Sequence, residues 1–344
     1  QPTALRREAA NVLVASTAAL WTQGITTELG LAHMAATAFD AATQVPATRW
    51  AVEESAVQNP AIKYAVCVPN AELFDNRPFG ISHAEAVWMD PQQRLLLEKG
   101  YTCLHTSGHT KRSLLGSDIG VMVGIQANDF GSITMSKPVA DLPVYAVSGF
   151  TFSVAAGRLS FVLGMQGPCF NTDTACSTAL VALHSASQMV NNYEASSALT
   201  LAVNLMLLPL GHILIASAGM TSADGRCKFL DSRANGYVRS EGIGAVLLDR
   251  MDAAEASGGR SPSMCGSAVR SDGKSASLTA PNGEAQVSLL HAAIFEGGLN
   301  VTDVHATECH GTGTALGDPI EMSSLSDVLG GSVSKIASGL KANL

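Results

Sequence analysis

No two of the seven cysteines, at 67, 103, 169, 176, 227, 265 and 309, form a C-x-x-C pair. That removes the sequence signal of a zinc knuckle or a dithiol redox motif. An odd, scattered set reads as free thiols in a reducing compartment, most of them expected as small core residues. Long apolar runs are also missing. None reaches the roughly 18 residues of a transmembrane helix, and the VLVAS stretch behind Arg6 and Arg7 is short and interrupted for a secretory leader. Positive charge is scarce: 21 Lys and Arg against 29 Asp and Glu leave a net charge of -8. This argues against a general nucleic-acid or anionic-membrane surface. Nucleotide loops are absent too, because GTGTALG (311–317) is neither G-x-G-x-x-G nor a P-loop. His105 and His109 stand four apart with no second ligand pair, so no zinc site is expected there.

What is present is a long chain rich in core formers. Of its 344 residues 47% are hydrophobic and 15% charged, enough for two domains or one large α/β unit. MDPQQRLLLE (89–98) predicts a helix start, with Asp90 as N-cap and Pro91 at the first helical position. IGVMVGI (119–125), GPCFNTDT (167–174), LTLAVNLML (199–207) and GIGAVLLDR (242–250) read as strands. Residues 150–163 and 177–192 read as helices, the second apolar nearly all round and therefore interior. Past a Gly/Ser/Pro-rich link at 256–263 the same style repeats: a strand near 266–269, a helix near 284–297, a strand at 304–310 and a helix from Asp318. Strands alternating with helices imply a layered α/β fold.

Two residues stand out chemically. Cys176 sits where a strand turns into a buried helix. Unpaired N–H groups and the positive end of the helix dipole at such a position stabilise negative charge on sulfur and on an attacked thioester oxygen. The plain alternative is a structural cysteine, and local pattern alone does not separate the two. His310 closes a strand and opens the glycine-rich HGTGTALGD loop, a place suited to acid/base work. A histidine bonded for structure fits the same pattern. Asp318, Pro319 and Glu321 then supply a cap, a first-position proline and a capping-box-like glutamate. Cys309 should face away from His310 if the strand is regular.

DTACSTAL (173–180) and ECHGTGTALGDPIE (308–321) resemble the active-site segments of β-ketoacyl synthases of the modular polyketide type. MDPQQRLLLE, VAAGRLSFVLGMQGP (154–168), SAGMTSADGRCK (217–228), GYVRSEG (236–242) and LTAPNG (278–283) match in order, so the resemblance covers about 45–344. It implies a thiolase-like α/β fold of two similar halves in five layers, α-β-α-β-α. The expected division is an atypical segment at 1–44, a nucleophile-bearing half at 45–255 and a C-terminal half at 264–344. It implies Cys176 as acyl-carrying nucleophile, His310 and Lys341 as further catalytic residues, Thr312 and Thr314 as contacts of the pantetheine arm, and Asp318 and Glu321 as supporting acids.

The reaction implied is decarboxylative condensation of the acyl group with a malonyl-type extender. No cofactor is expected in the domain itself, because the substrates ride on the phosphopantetheine of an acyl carrier protein. A homodimer is expected, with fusion to further synthase modules compatible with the pattern. The expected compartment is the cytoplasm, with a plastid as the alternative. The sequence ends at KANL, before the Gly-His that the family carries, and residues 11–35 do not reproduce the family's opening strand, although 11–16 could serve as a substitute. A piece of a larger enzyme is therefore expected. A non-catalytic remnant or partner chain and a cysteine-dependent hydrolase are the competing readings.

Overall fold

The computed structural model describes residues 12–51, 59–250, 261–330 and 336–340. In chain order the elements that matter are β1 (Val12–Leu20), α1 (Glu28–Ala36), β2 (Thr43–Gln44), β3 (Tyr64–Val66), α2 (His83–Val87), α3 (Pro91–Thr106), α4 (Lys111–Leu114), β4 (Gly120–Ile125), α5 (Asp129–Met135), α6 (Ala146–Phe150), α7 (Phe152–Leu163), β5 (Cys169–Thr172), α8 (Thr178–Asn191), β6 (Ser197–Asn204), α9 (Pro209–Ser217), β7 (Arg239–Ser240), β8 (Gly242–Arg250), β9 (Ser263–Met264), α10 (Gly283–Glu296), β10 (Ala306–Glu308), α11 (Gly317–Leu329) and β11 (Ile336–Ser338).

A six-stranded sheet in the order β5-β4-β6-β8-β1-β9 forms the centre. β4 runs parallel to β5 and β6, while β8 is antiparallel to β6 and β1. The segment the sequence sets apart as 1–44 supplies β1, which lies inside the sheet between β8 and β9. The side-chain period of two sorts residues onto the two faces. Val121, Val123, Leu199, Leu201, Ile243, Ala245 and Leu247 pack with Leu96, Leu104 and Leu159 of α3 and α7. Met122, Ala198 and Leu248 pack with Ala182, Ala186 and Met189 of α8 on the other. A Cβ at Gly124 would lie 2.7 Å from the Thr178 methyl, so a bare position in β4 lets the start of α8 approach the sheet.

The MDPQQR segment fastens α3 with buried polar groups. Asp90 caps the helix as expected, its Oδ1 accepting from Gln92 N at 2.8 Å. Gln92 Nε2 donates to Ala127 O at 2.8 Å, and Gln93 Oε1 accepts from Arg158 Nε at 2.8 Å. Arg158 also pairs with Glu85. Burial comes first in pushing the Asp90 carboxyl up to about 6.

The second unit is smaller. β10 and β11 form a parallel pair, and α10 and α11 pack together around Cys309, Leu325, Val328 and Leu329. The strand expected near 266–269 is not formed: residues 265–270 have no regular structure, and the nearby β9 ends the first sheet instead. A close contact explains the irregular path. A Cβ at Gly266 would lie 2.4 Å from Gly297 N, so this stretch runs against the C-terminal end of α10 without a pairing strand. The helix expected at 150–163 is α7, which starts just after Thr151 in extended conformation and follows the short α6. The link at 256–263 lies mostly outside the described residues.

Candidate active site

The turn that carries Cys176 is held by its own sequence. Asp173 Oδ1 accepts from Ala175 N at 2.9 Å, and Thr178 Oγ1 accepts from Thr174 N at 2.8 Å while donating to Ala175 O at 2.7 Å. Ser177 Oγ donates to Thr174 O at 2.9 Å. These bonds hold Ala175 at φ +55°, a left-handed conformation that a residue with a Cβ adopts only under constraint. Cys176 follows in a single 3-10 turn (Ala175–Ser177) that leads directly into α8. A strained strand–turn–helix junction presents a nucleophile to solvent, and Cys176 is exposed.

The other cysteines differ. All seven are free, but only Cys103 and Cys309 are buried, so the expectation that most are core residues fails. The reason lies in the edge and loop positions of the rest. Cys169, for instance, lies on the edge strand β5. Burial, and then the Glu241 carboxylate, push the Cys67 thiol up to about 11, which keeps it a neutral thiol. Cys309 lies in the second core, as the strand alternation predicts.

His310 is exposed at the end of β10. Asp318 and Glu321 do not start α11 in the way their spacing suggests. Glu321 does not complete a capping box: its carboxylate accepts from His310 N and, at 2.9 Å, from Gly311 N. Asp318 does not cap α11, whose N-cap is Leu316. Its Oδ1 accepts from Gly313 N and its Oδ2 from Leu230 N, both at 3.1 Å, and it is 3% exposed. The HGTGT loop turns back over the start of α11, so its N–H groups need acceptors and take these carboxylates. Thr312 Oγ1 and Thr314 Oγ1 lie 3.0 Å apart, and Thr314 Oγ1 accepts from Gly317 N at 3.1 Å. Lys341 lies outside the described residues.

The GYVRSEG segment holds the HGTGT loop, a role its sequence does not announce. Gly236 N donates to Gly313 O at 2.9 Å. A Cβ at Gly236, where φ is +124°, would lie 2.6 Å from Met220 O, so glycine is required at this crossing. Burial holds the phenol of the next residue, Tyr237, above its ordinary value. Further along, Glu241 forms a bidentate pair with Arg49, at 3.1 and 3.0 Å, and accepts from Val68 N and Met206 N. This buried pair anchors the segment to the first unit. Among the described residues there is no cluster of three or more potential metal ligands, and no helix is long and apolar enough to cross a membrane.

The profile of the β-ketoacyl synthase N-terminal domain matches residues 12–254, and that of the C-terminal domain matches 263–343. The chain belongs to the β-ketoacyl synthase family. This ketosynthase chain is 40% identical over 316 residues to a phenolphthiocerol/phthiocerol polyketide synthase of Mycobacterium tuberculosis, covering 88% of this chain and 14% of that protein. A second phenolphthiocerol/phthiocerol polyketide synthase chain of the same organism is 39% identical over 298 residues, covering 85% and 19%. The ketosynthase from module 6 of the bacillaene synthase of Bacillus subtilis 168 superposes with a TM-score of 0.86 at 32% identity, over 97% of this chain and 57% of that one. The oxazolomycin ketosynthase domain of Streptomyces albus JA3453 gives 0.88 at 28% identity, over 97% and 61%. The fold is therefore the thiolase-like fold of ketosynthases. The chain spans less than a fifth of the length of these curated relatives and about three fifths of these solved structures.

Proposed function

We propose that this ketosynthase chain performs decarboxylative condensation in polyketide biosynthesis. The carrying observation is the exposed Cys176 on a strained turn at the start of α8, in a chain whose HGTGT loop is separately held by Glu321, Asp318 and Gly236. In the first half-reaction the Cys176 sulfur attacks the carbonyl carbon of an acyl thioester on an acyl carrier protein. The new C–S bond forms, the pantetheine C–S bond breaks, and the carrier thiol leaves. The positive end of the α8 dipole favours the oxyanion that forms.

In the second half-reaction a malonyl-type extender on a carrier protein loses carbon dioxide, and the electron pair of the broken C–C bond remains on its α-carbon. That carbon attacks the acyl carbonyl on Cys176, and the cysteine leaves as thiolate. The product is a β-ketoacyl thioester two main-chain carbons longer. His310, with Lys341, is assigned to the extender thioester and its developing charge, and Thr312 and Thr314 to the pantetheine arm. Glu321 and Asp318 support these residues by fixing the loop backbone. The substrates bring the phosphopantetheine with them, and the cytoplasm is the compartment this chemistry fits.

A second copy of the chain is the further partner. β5 is an edge strand with Cys169 and Phe170 exposed, and α7, which packs on it, leaves Phe161 87% exposed. An open strand edge beside exposed aromatics favours pairing with another strand. Sedimentation should show a dimer that Phe161→Glu dissociates.

The catalytic reading is tested by intact-protein mass spectrometry after incubation with a short acyl thioester. A gain of one acyl group, lost in Cys176→Ala, supports it. No gain in a folded sample favours a non-catalytic remnant, and release of free acid without condensation favours a hydrolase.

A further inference from the structure

Phe229 lies between two loops of the second unit. Just before it in the chain, Lys228 runs against the HGTGT loop: a Cβ at Gly313 would lie 2.5 Å from Lys228 N. Just after it, Leu230 N donates to Asp318 Oδ2 at 3.1 Å. With its neighbours pinned, the half-buried ring packs against the core of Cys309, Leu325, Val328 and Leu329. A Cβ at Gly311 would lie 2.9 Å from its Cδ2, and a Cβ at Gly339 would lie 2.6 Å from its Cδ1. One edge of the ring therefore meets the residue after His310, and the opposite edge meets the residue two before Lys341. The two glycines are bare for different reasons. Gly311 has φ +49°, which itself favours glycine. Gly339 lies outside the left-handed region, and its three nearest contacts are all ring atoms of Phe229. What requires a glycine there is the ring.

We infer that Phe229 is a positioning residue for the extender half of the reaction, its ring setting the distance between the histidine loop and the segment that leads to Lys341. The inference rests on the condensing function proposed above, which assigns both His310 and Lys341 to the extender thioester. The backbone already joins the two segments where the strands end: Cys309 N donates to Ser338 O at 2.8 Å, and Leu340 N donates to Glu308 Oε1 at 2.6 Å. The ring adds a rigid spacer beside these bonds. It is planar and close-packed, so neither glycine can approach the other while it is in place. Removing it leaves a gap that the loops close only in part, and a displacement of about 1 Å in a reacting group costs up to about a hundredfold in rate. The turn that carries Cys176 is held by bonds within residues 173–178, none of which involves Phe229. Charging of the cysteine should therefore not depend on the ring.

The experiment uses the full-length chain and reads the two half-reactions separately. The acyl adduct on Cys176 is followed by mass spectrometry with the butyryl thioester of N-acetylcysteamine. Carbon dioxide release from the malonyl thioester of N-acetylcysteamine is then followed on the charged enzyme. Phe229→Ala should charge within about twofold of the wild-type rate and release carbon dioxide at least about tenfold more slowly. Gly339→Ala should do the same, and adding it to Phe229→Ala should cost nothing further, since the ring it strikes is gone. Wild-type carbon dioxide release in Phe229→Ala, slowing of both half-reactions alike, or a double variant that loses the product of the two single effects overturns the inference and leaves the condensing reading standing. A wild type that releases no carbon dioxide removes the condensing reading and the inference with it. Phe229→Leu keeps most of the apolar volume and should show the same selective loss to a smaller extent, so it carries the test if the alanine variant does not fold.

Discussion

The proposed nucleophile and the histidine are held by different physics. Cys176 rises from a unit whose six-stranded sheet is packed on both faces, with Leu159, Leu199, Leu201 and Leu247 all at 0% exposure. His310 belongs to a unit whose core has, among the described residues, four buried members at 3–8% exposure, and whose helix α10 has none. There the loop is shaped by carboxylates that receive backbone N–H groups. The first arrangement makes a rigid floor through apolar area. The second fixes a loop through a few directional bonds and depends on each of them. The groups whose ionisation burial displaces most, Asp90, His212 and Cys67, also lie in the first unit.

The sharpest test of that contrast is a pair of core deletions. Leu201→Ala should cost about 3–5 kcal/mol and Leu325→Ala about 2 kcal/mol, since the second site is shallower and can collapse. Urea unfolding followed by far-UV circular dichroism gives both numbers. Equal losses would erase the distinction.

Next in size is the pH dependence of the first unit. The Asp90 carboxyl titrates near 6 in the fold, above its ordinary 3.8, so the folded state binds the extra proton between these values. The Asp90 contribution to stability should fall as pH rises from about 4 to about 6, by up to about 3 kcal/mol. Asp90→Asn keeps a cap oxygen and should remove that contribution, so that stability rises more steeply with pH than in the wild type. His212 works the other way. Burial, and then Arg239, bring its imidazole down to about 4, so the unfolded chain takes up a proton first and stability falls as pH drops from about 6.5 towards 4. His212→Phe should remove that slope. Denaturation midpoints across pH 4–7 separate the two; a flat wild-type profile together with unchanged variants would refute both assignments.

In the second unit, Asp318→Asn exchanges one acceptor for a donor facing Gly313 N or Leu230 N. It should cost about 2 kcal/mol and raise hydrogen exchange at Gly313 more than anywhere in the large sheet. Uniform exchange would mean that the loop does not depend on its acid. The smallest expected effect is at the seam. His184 Nδ1 and Ser267 Oγ lie 2.8 Å apart and join α8 to the segment after β9. Ser267→Ala should cost about 1 kcal/mol and leave Cys176 alkylation unchanged; a loss of alkylation would show that the seam controls the cysteine.

Much of this was readable in the chain. The Asp90 cap and Pro91 start of α3, the apolar runs of β4, β6 and β8, and the helix beginning just after Cys176 follow from local pattern, because capping and periodicity act over a few residues. The position of β1 did not follow. Its VLVAS start is short, and only pairing with β8 and β9 makes it an inner strand. Asp318 and Glu321 looked like helix-start residues because their spacing fits a cap. Their carboxylates instead serve the loop before the helix.

Family, order of the main elements, and the segments that carry Cys176 and His310 could all be taken from the amino-acid order, because these rest on contiguous residues whose chemistry and spacing can be read in one dimension. Which groups meet was settled in three dimensions: Gly236 ties to Gly313, Asp318 accepts from Leu230 N, and Glu241 pairs with Arg49. Those are contacts between distant segments, set by how the sheet and its helices bury apolar area, and local pattern does not encode their partners.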